Sequence, residues 1–272
     1  MTNIITNIMT KDIDSHSDVK FITDKPAAFI PEISTLVIAE MHLGLEYELY
    51  KSGVFIPAQS PRFEKIIDGL IKLTKAERLV IVGDIKHKVP GSTIREDREI
   101  PKMLTNISKK IKIILVKGNH DDRVEEIVPE EVKIYSSHGF RIGRYGFFHG
   151  HAWPSRRLLA CDYLFIGHVH PAVEFRDTFG FRSIEQVWVR GKLDAEKVKK
   201  KFAVKKVGEL NVVVLPVFNE LLSGVGINKL AREEMIGPIL ANNFLDMRNS
   251  KVYLLDGTFL GTMKQVKEIK RE

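Results

Sequence analysis

Short runs of consecutive apolar residues mark the first two thirds of the chain: Val19 to Thr23, Thr35 to Ala39, Leu79 to Val82, Ile111 to Val116, Tyr145 to Phe148 and Tyr163 to Ile166. Most lack the alternation of a half-exposed strand and so predict strands buried on both faces. Between the second and third runs the period changes. Phe63, Ile66, Ile67, Leu70 and Ile71 fall on one face of a helix, with Ser60 as its cap and Pro61 at its first position. A second helix is predicted from about Thr93 to Lys110, so that strands and helices alternate as crossover units.

After residue 170 the pattern turns mostly to strands, namely Ile184 to Val189, Leu210 to Leu215, Val252 to Leu255 and Phe259 to Met263. The expected fold class is α/β: a four-layer α/β/β/α sandwich, helices outside and two mixed β-sheets inside. No repeat or Pro/Gly-rich linker divides the chain. A single domain over 1–272 is expected, with a motif-bearing part at about 19–171 and a strand-rich part at about 172–272 completing the second sheet.

Composition adds little until charge is considered. Of 272 residues, 44% are hydrophobic and 28% charged, the balance of a globular chain with room for a large core. The formal net charge of +7 points to an anionic partner, nucleic acid above all. Much of the excess sits in Lys192, Lys197, Lys199, Lys200, Lys201, Lys205 and Lys206, for which a solvated helix face is the plain alternative. The N-terminus lacks the pattern of a secretory leader and no stretch is long and apolar enough to span a bilayer, so a cytoplasmic location without membrane attachment is expected. The one cysteine, Cys161, adjoins the apolar YLFI segment and is read as an inert thiol.

The chemistry lies where the strands end. Thr35 to Ala39 runs into Glu40-Met41-His42, Leu79 to Val82 into Gly83-Asp84, and Ile111 to Val116 into Gly118-Asn119-His120-Asp121. Tyr145 to Phe148 runs into His149-Gly150-His151, and Tyr163 to Ile166 into Gly167-His168-Val169-His170. In an open α/β sheet the carboxyl ends of the strands share one crevice, so five segments aim imidazole, carboxylate and carboxamide groups at one place. Six of the nine histidines fall in these motifs, which favours a metal site over isolated core or surface histidines. Imidazole with carboxylate suits divalent manganese, zinc, iron or nickel, and the lack of thiolates argues against a structural zinc site.

This ordered five-part series resembles the calcineurin-like metallophosphoesterase superfamily. MHLGLE, GDIKH, HGHAWP, GHVHP, LPVFNELLSGVGIN and KVYLLDGTFLGT are similar to the archaeal SbcD-related phosphoesterases and their ligase-associated bacterial relatives. The resemblance implies a dinuclear site, with Glu40, His42, Asp84 and His170 on one metal and Asp84, Asn119, His149 and His168 on the other. Asp84 would bridge, and His120 would be the catalytic acid or charge stabiliser. The family usually has aspartate where this chain has Glu40, which changes the reach or denticity of that ligand. Two divalent ions, manganese first, are the expected cofactors; such a pair activates a bound hydroxide and steadies an in-line displacement at phosphorus.

His87 and His151 stand close enough in sequence to line the crevice, with plain surface positions the equal alternative, and Asp121 and Asp122 either orient His120 or are two exposed acids in a loop. Trp153, Arg156 and Arg157 suit a nucleotide through stacking and phosphate pairing, although packing explains Trp153 equally well. His16 and His138 are read as structural, and Asn219 and Asn228 as turn formers. The expected activity is phosphodiester hydrolysis in nucleic acid, most simply by a DNA nuclease. The alternatives are a small-molecule phosphodiesterase or phosphatase, for example on cyclic nucleotides, and a non-catalytic protein-binding scaffold with a decayed site. No protein partner is indicated.

Overall fold

In a computed structural model, residues 18–177 and 179–268 are described. Two sheets face each other. The first has the order β1 (Lys20–Phe21), β2 (Ala28–Ile30), β3 (Thr35–Ile38), β4 (Arg78–Val82), β5 (Lys112–Val116), β6 (Lys133–Tyr135). Strands β3 to β6 are parallel, while β1 and β2 add an antiparallel edge. The second sheet holds β7 (Phe140–Ile142), β8 (Tyr145–Phe147), β9 (Tyr163–Ile166), β10 (Pro171–Arg176), β11 (Arg182–Lys192), β12 (Asn211–Val214) and β13 (Val225–Gly226). β14 (Lys251–Leu254) pairs with β11 and β15 (Phe259–Thr262). The strands after residue 170 therefore share a sheet with β8 and β9.

Burial on both faces explains the unbroken apolar runs. In β3, Leu36 and Ile38 enter one core while Val37 and Ala39, just past the strand, enter another. β4 and β5 divide in the same way. The core shared by the sheets holds Val80, Val82, Phe147, Phe165 and Trp188. Outside the first sheet, α2 (Ser60–Thr74) and α3 (Ile94–Ser108) contribute Phe63, Ile67, Leu70, Ile100, Met103 and Leu104, after the short α1 (Leu45–Lys51). Outside the second, α4 (Ala195–Phe202) buries Val198 in the core that also holds Leu158, Leu159 and Cys161. This is the four-layer α/β/β/α sandwich.

Local expectations fare unevenly. Thr93 caps α3 through a full capping box with Glu96. Ser60 does not cap α2: Gln59 occupies that position, and the Ser60 hydroxyl donates instead to Glu99 on α3 at 2.6 Å. Cys161 is buried, and burial pushes its thiol up to about 11, far from a reactive thiolate. His16 lies outside the described residues. Among the described residues no helix is long and apolar enough to cross a membrane.

Candidate metal centre

The motif residues meet at the carboxyl ends of β3, β4, β5, β8 and β9. Glu40, His42, Asp84, His168 and His170 all adopt left-handed backbone conformations, with φ of 60°, 42°, 54°, 68° and 48°. Such conformations cost free energy for residues with a Cβ and cluster where a site requires them. Here they turn the chain sharply at the strand ends. Glycine is needed beside them on steric grounds: a Cβ on Gly83 would lie 2.0 Å from His149 Nδ1, and one on Gly118 2.0 Å from Asp84 Oδ1.

The donor atoms of Glu40, His42, Asp84 and His170 all lie within 4.8 Å of one another. Glu40 Oε2 is 2.7 Å from His170 Nε2 and 3.0 Å from His42 Nε2, and its other oxygen accepts from the His168 backbone N–H. The second expected set is looser. Asp84 Oδ2 and Asn119 Oδ1 stand 3.4 and 3.1 Å from His149 Nε2. The His168 ring lies 5.2 Å from that of His149, and neither of its nitrogens is hydrogen-bonded among the described residues.

The electrostatics fit divalent cations. Glu40 and Asp84 are 0% and 1% exposed, and their only ion-pair partners among the described residues are histidines. Buried carboxylates without a compensating cation are costly. In the metal-free protein, imidazoles answer that demand. Burial opposes a charge on His149, but Glu40 and Asp84 raise it to about 10. Burial, seconded by the charge on His149, pushes His168 down to about 4, leaving a neutral ring ready to ligate. His149 Nδ1 donates to the Val82 carbonyl at 2.9 Å, which leaves Nε2 facing Asp84 and Asn119 as a ligand requires.

His120 stands beside this group, its ring 4.7 Å from that of His42. Its Nδ1–H donates to the His87 carbonyl at 2.6 Å, so Nε2 remains free for chemistry. The expected orienting carboxylate is corrected here. Asp121 accepts from the backbone N–H groups of Asp84, Ile85, Lys86 and Gly118, and Asp122 from Gly91, so neither holds His120. Asp121 is fully buried, and burial followed by repulsion from Asp84 raises its pKa to about 6. His87 does border the centre: its Nδ1 lies 3.4 Å from His42 Nδ1, and burial with its histidine neighbours lowers it to about 4. The donor atoms of His42, His87 and His120 form a second close group.

His151 reaches the centre's edge, 5.8 Å from the His168 ring, with a buried Nδ1 that has no hydrogen-bond partner among the described residues. Trp153 is engaged by packing: Phe202 and Phe244 meet it edge-on and Lys201 lies 4.8 Å over the ring, so no free stacking platform is presented. Arg156 is exposed, on a short helix at Arg156–Ala160. Two residues do more than their sequence context announced. Buried Asn219, read as a turn former, donates to the Met41 carbonyl at 2.9 Å and so ties the C-terminal part to the Glu40–His42 turn. Buried Glu96 accepts from the backbone N–H groups of His87 and Lys88 at 2.9 and 2.8 Å. Nothing in the local sequence signals either reach.

Residues 33–195 match the family profile of calcineurin-like phosphoesterases. Comparison with curated proteins gives no match. Among solved structures, a nuclease MPE from Pseudomonas putida is similar at 19% identity and TM-score 0.52, over 87% of this chain and 90% of that one. YfcE, a phosphoesterase from E. coli, aligns at 20% identity and TM-score 0.35, over 52% of this chain and 72% of its own. The first likeness shows a shared fold.

Proposed function

The chain belongs to the calcineurin-like phosphoesterase family and is a metal-dependent hydrolase, and from that premise we propose that it cleaves phosphodiester bonds in nucleic acid with two divalent ions. The observation that carries this reading is the close group of Glu40, His42, Asp84 and His170, contiguous through Asp84 with Asn119 and His149. In this reading the first four residues hold one ion, and Asp84, Asn119, His149 and His168 hold the other. Manganese fits the mixture of imidazole and carboxylate oxygen. When bound, the ions supply Lewis acidity at phosphorus and an activated water.

The chain's own residues do the rest. His149 and Asp84 fix the shared wall of the site, and His120 presents Nε2 to the oxygen that leaves, as proton donor or charge stabiliser. The net charge of +7 supports a polyanionic substrate. The motif resemblance supports a place near the SbcD-related branch of the family, and the Pseudomonas putida neighbour, itself a nuclease, supports a nucleic-acid substrate.

The test is an activity panel on purified protein: manganese, zinc, iron and nickel against single- and double-stranded DNA, a cyclic nucleotide and a chromogenic diester. Manganese-dependent DNA cleavage, abolished by chelator and falling with salt, is expected. Turnover confined to cyclic nucleotides or small monoesters would replace the nuclease reading with a small-molecule one. No turnover together with no bound metal would leave the scaffold reading.

A further inference from the structure

Of the seven lysines in the run that stands out in the sequence, four have a partner on the protein itself. Lys192 pairs with Glu209, Lys197 with Asp194, Lys199 with Glu196, and Lys201 covers Trp153. A different cationic feature emerges only on folding. A cavity of about 750 Å³ opens where β6 and β7 meet at the margins of the two sheets. Tyr135, Phe140 and Ser155 form part of its wall, and Arg141, Arg156 and Arg157 line it.

All three arginines are exposed, and none has an ion-pair partner among the described residues. Nearby Arg144, by contrast, is shared among Asp18, Glu32 and Asp162. Among the described residues no acidic side chain lines this cavity. Three arginines without an ion-pair partner lining one cavity make a phosphate-binding constellation, because each guanidinium offers a planar fork of donors matched to phosphate oxygens.

Its position links it to the metal centre. β6 runs parallel to β5, and β7 begins opposite the end of β8, so the cavity opens at the same end of the sandwich as the motif residues. The Lys117 N–H donates to the Tyr135 carbonyl at 2.9 Å, and Asn119 follows two residues later. Tyr135 therefore stands within roughly 12 Å of the Asn119 backbone.

We propose that the arginine-lined cavity of Arg141, Arg156 and Arg157 is an anchor for the phosphates of a polynucleotide strand whose scissile bond lies at the metal centre. The proposal rests on the nuclease reading of that centre. It makes the cavity, and not the lysine run, the main strand contact.

The test is fluorescence-anisotropy binding of a labelled, phosphorothioate-protected DNA single strand to the manganese-loaded full chain over a range of salt. Arg141→Ala/Arg157→Ala is compared with Arg248→Ala/Lys264→Ala, which removes equal charge from another cavity. The first variant is expected to bind about ten-fold or more weakly at low salt. Its salt slope should also be shallower by roughly 1 to 1.5, at about 0.7 per single-strand phosphate contact. Its metal content and melting temperature should match the parent's, and the control should bind nearly as the parent does. Parent-like binding by the arginine variant, or an equal loss in the control, would overturn the anchor. A parent that turns over a chromogenic diester without binding the strand would also overturn it while leaving the phosphoesterase centre standing; a parent inert toward both would remove the nuclease reading itself.

Discussion

Asp84 and Asp121 lock each other's loops reciprocally. The Asp121 carboxylate accepts the Asp84 backbone N–H at 2.8 Å, and the Asp84 carboxylate accepts the N–H of His120, the residue before Asp121, at 2.8 Å. Each aspartate thus fixes the backbone that presents the other motif. The loop carrying the bridging position and the loop carrying Asn119 and His120 cannot move independently.

Replacing Asp121 should therefore damage the centre without touching a metal ligand. Asp121→Asn keeps the shape, but one carboxamide oxygen must serve N–H groups that two oxygens now satisfy. Each buried donor left unpaired costs about 1–3 kcal/mol. A lower melting temperature and weakened metal retention are expected, read by thermal unfolding and metal analysis. Asp84→Asn should differ by losing metal with a smaller loss of fold. Parent-like stability and metal content in Asp121→Asn would show that the lock is dispensable.

His120→Ala should leave metal content intact and lower the maximal rate by roughly 10²- to 10⁴-fold, the usual range for a lost acid or base. The structure favours this outcome because His120 Nδ1 is committed to the His87 carbonyl, leaving only Nε2 to act. Metal loss in the variant would instead make His120 a ligand, through the close group it forms with His42 and His87.

Stability should depend on pH differently with and without metal. In the metal-free protein, burial disfavours the His149 charge, yet Glu40 and Asp84 raise its pKa to about 10, above the unfolded value of about 6.5. The stabilisation from protonated His149 is fully present below about 6.5 and is lost as pH rises through about 10. Melting temperature in chelator should therefore fall across that window. A metal ion replaces the proton, so its binding strengthens with pH and the gap between loaded and metal-free melting temperatures should widen. A gap that stays constant from pH 7 to 10 would remove His149 from the ligands.

The strand ends were legible because buried parallel strands write unbroken apolar runs, and the residues after them are few and chemically distinctive. Leu79 to Val82 followed by Gly83-Asp84 is the clearest case. β6 and β7 were not legible, since three-residue strands at sheet margins carry too short a pattern to show a period. The partners of Asp121 and Asn219 stayed hidden for another reason. Asp121 binds backbone N–H groups 35 to 37 residues away, and Asn219 a carbonyl 178 residues away, and backbone groups have no sequence identity to read. Trp153 read equally as ligand platform or packing, and only the positions of Phe202, Phe244 and Lys201 decide for packing.

Glu40 is where the chain departs from the pattern it resembles, and its contacts make the departure testable. Its side chain is fully buried, one oxygen against His42 and His170 and the other against the His168 backbone N–H. The longer side chain therefore spans from the first ligand set to the loop that presents His168. Glu40→Gln removes the charge that balances an ion but keeps the shape, so the site of His42, Asp84 and His170 should empty first. Metal content should fall from about two ions to about one, with the ion at Asp84, Asn119, His149 and His168 retained. Glu40→Asp keeps the charge and withdraws the carboxylate by one methylene. It should hold two ions more weakly and lower the melting temperature, because the His168 N–H loses its acceptor. Metal analysis and thermal unfolding of parent and both variants, after equal exposure to manganese, check each step. Two tightly held ions in Glu40→Gln would show that Glu40 buttresses the His168 loop without ligating, and one ion in the parent would end the dinuclear reading.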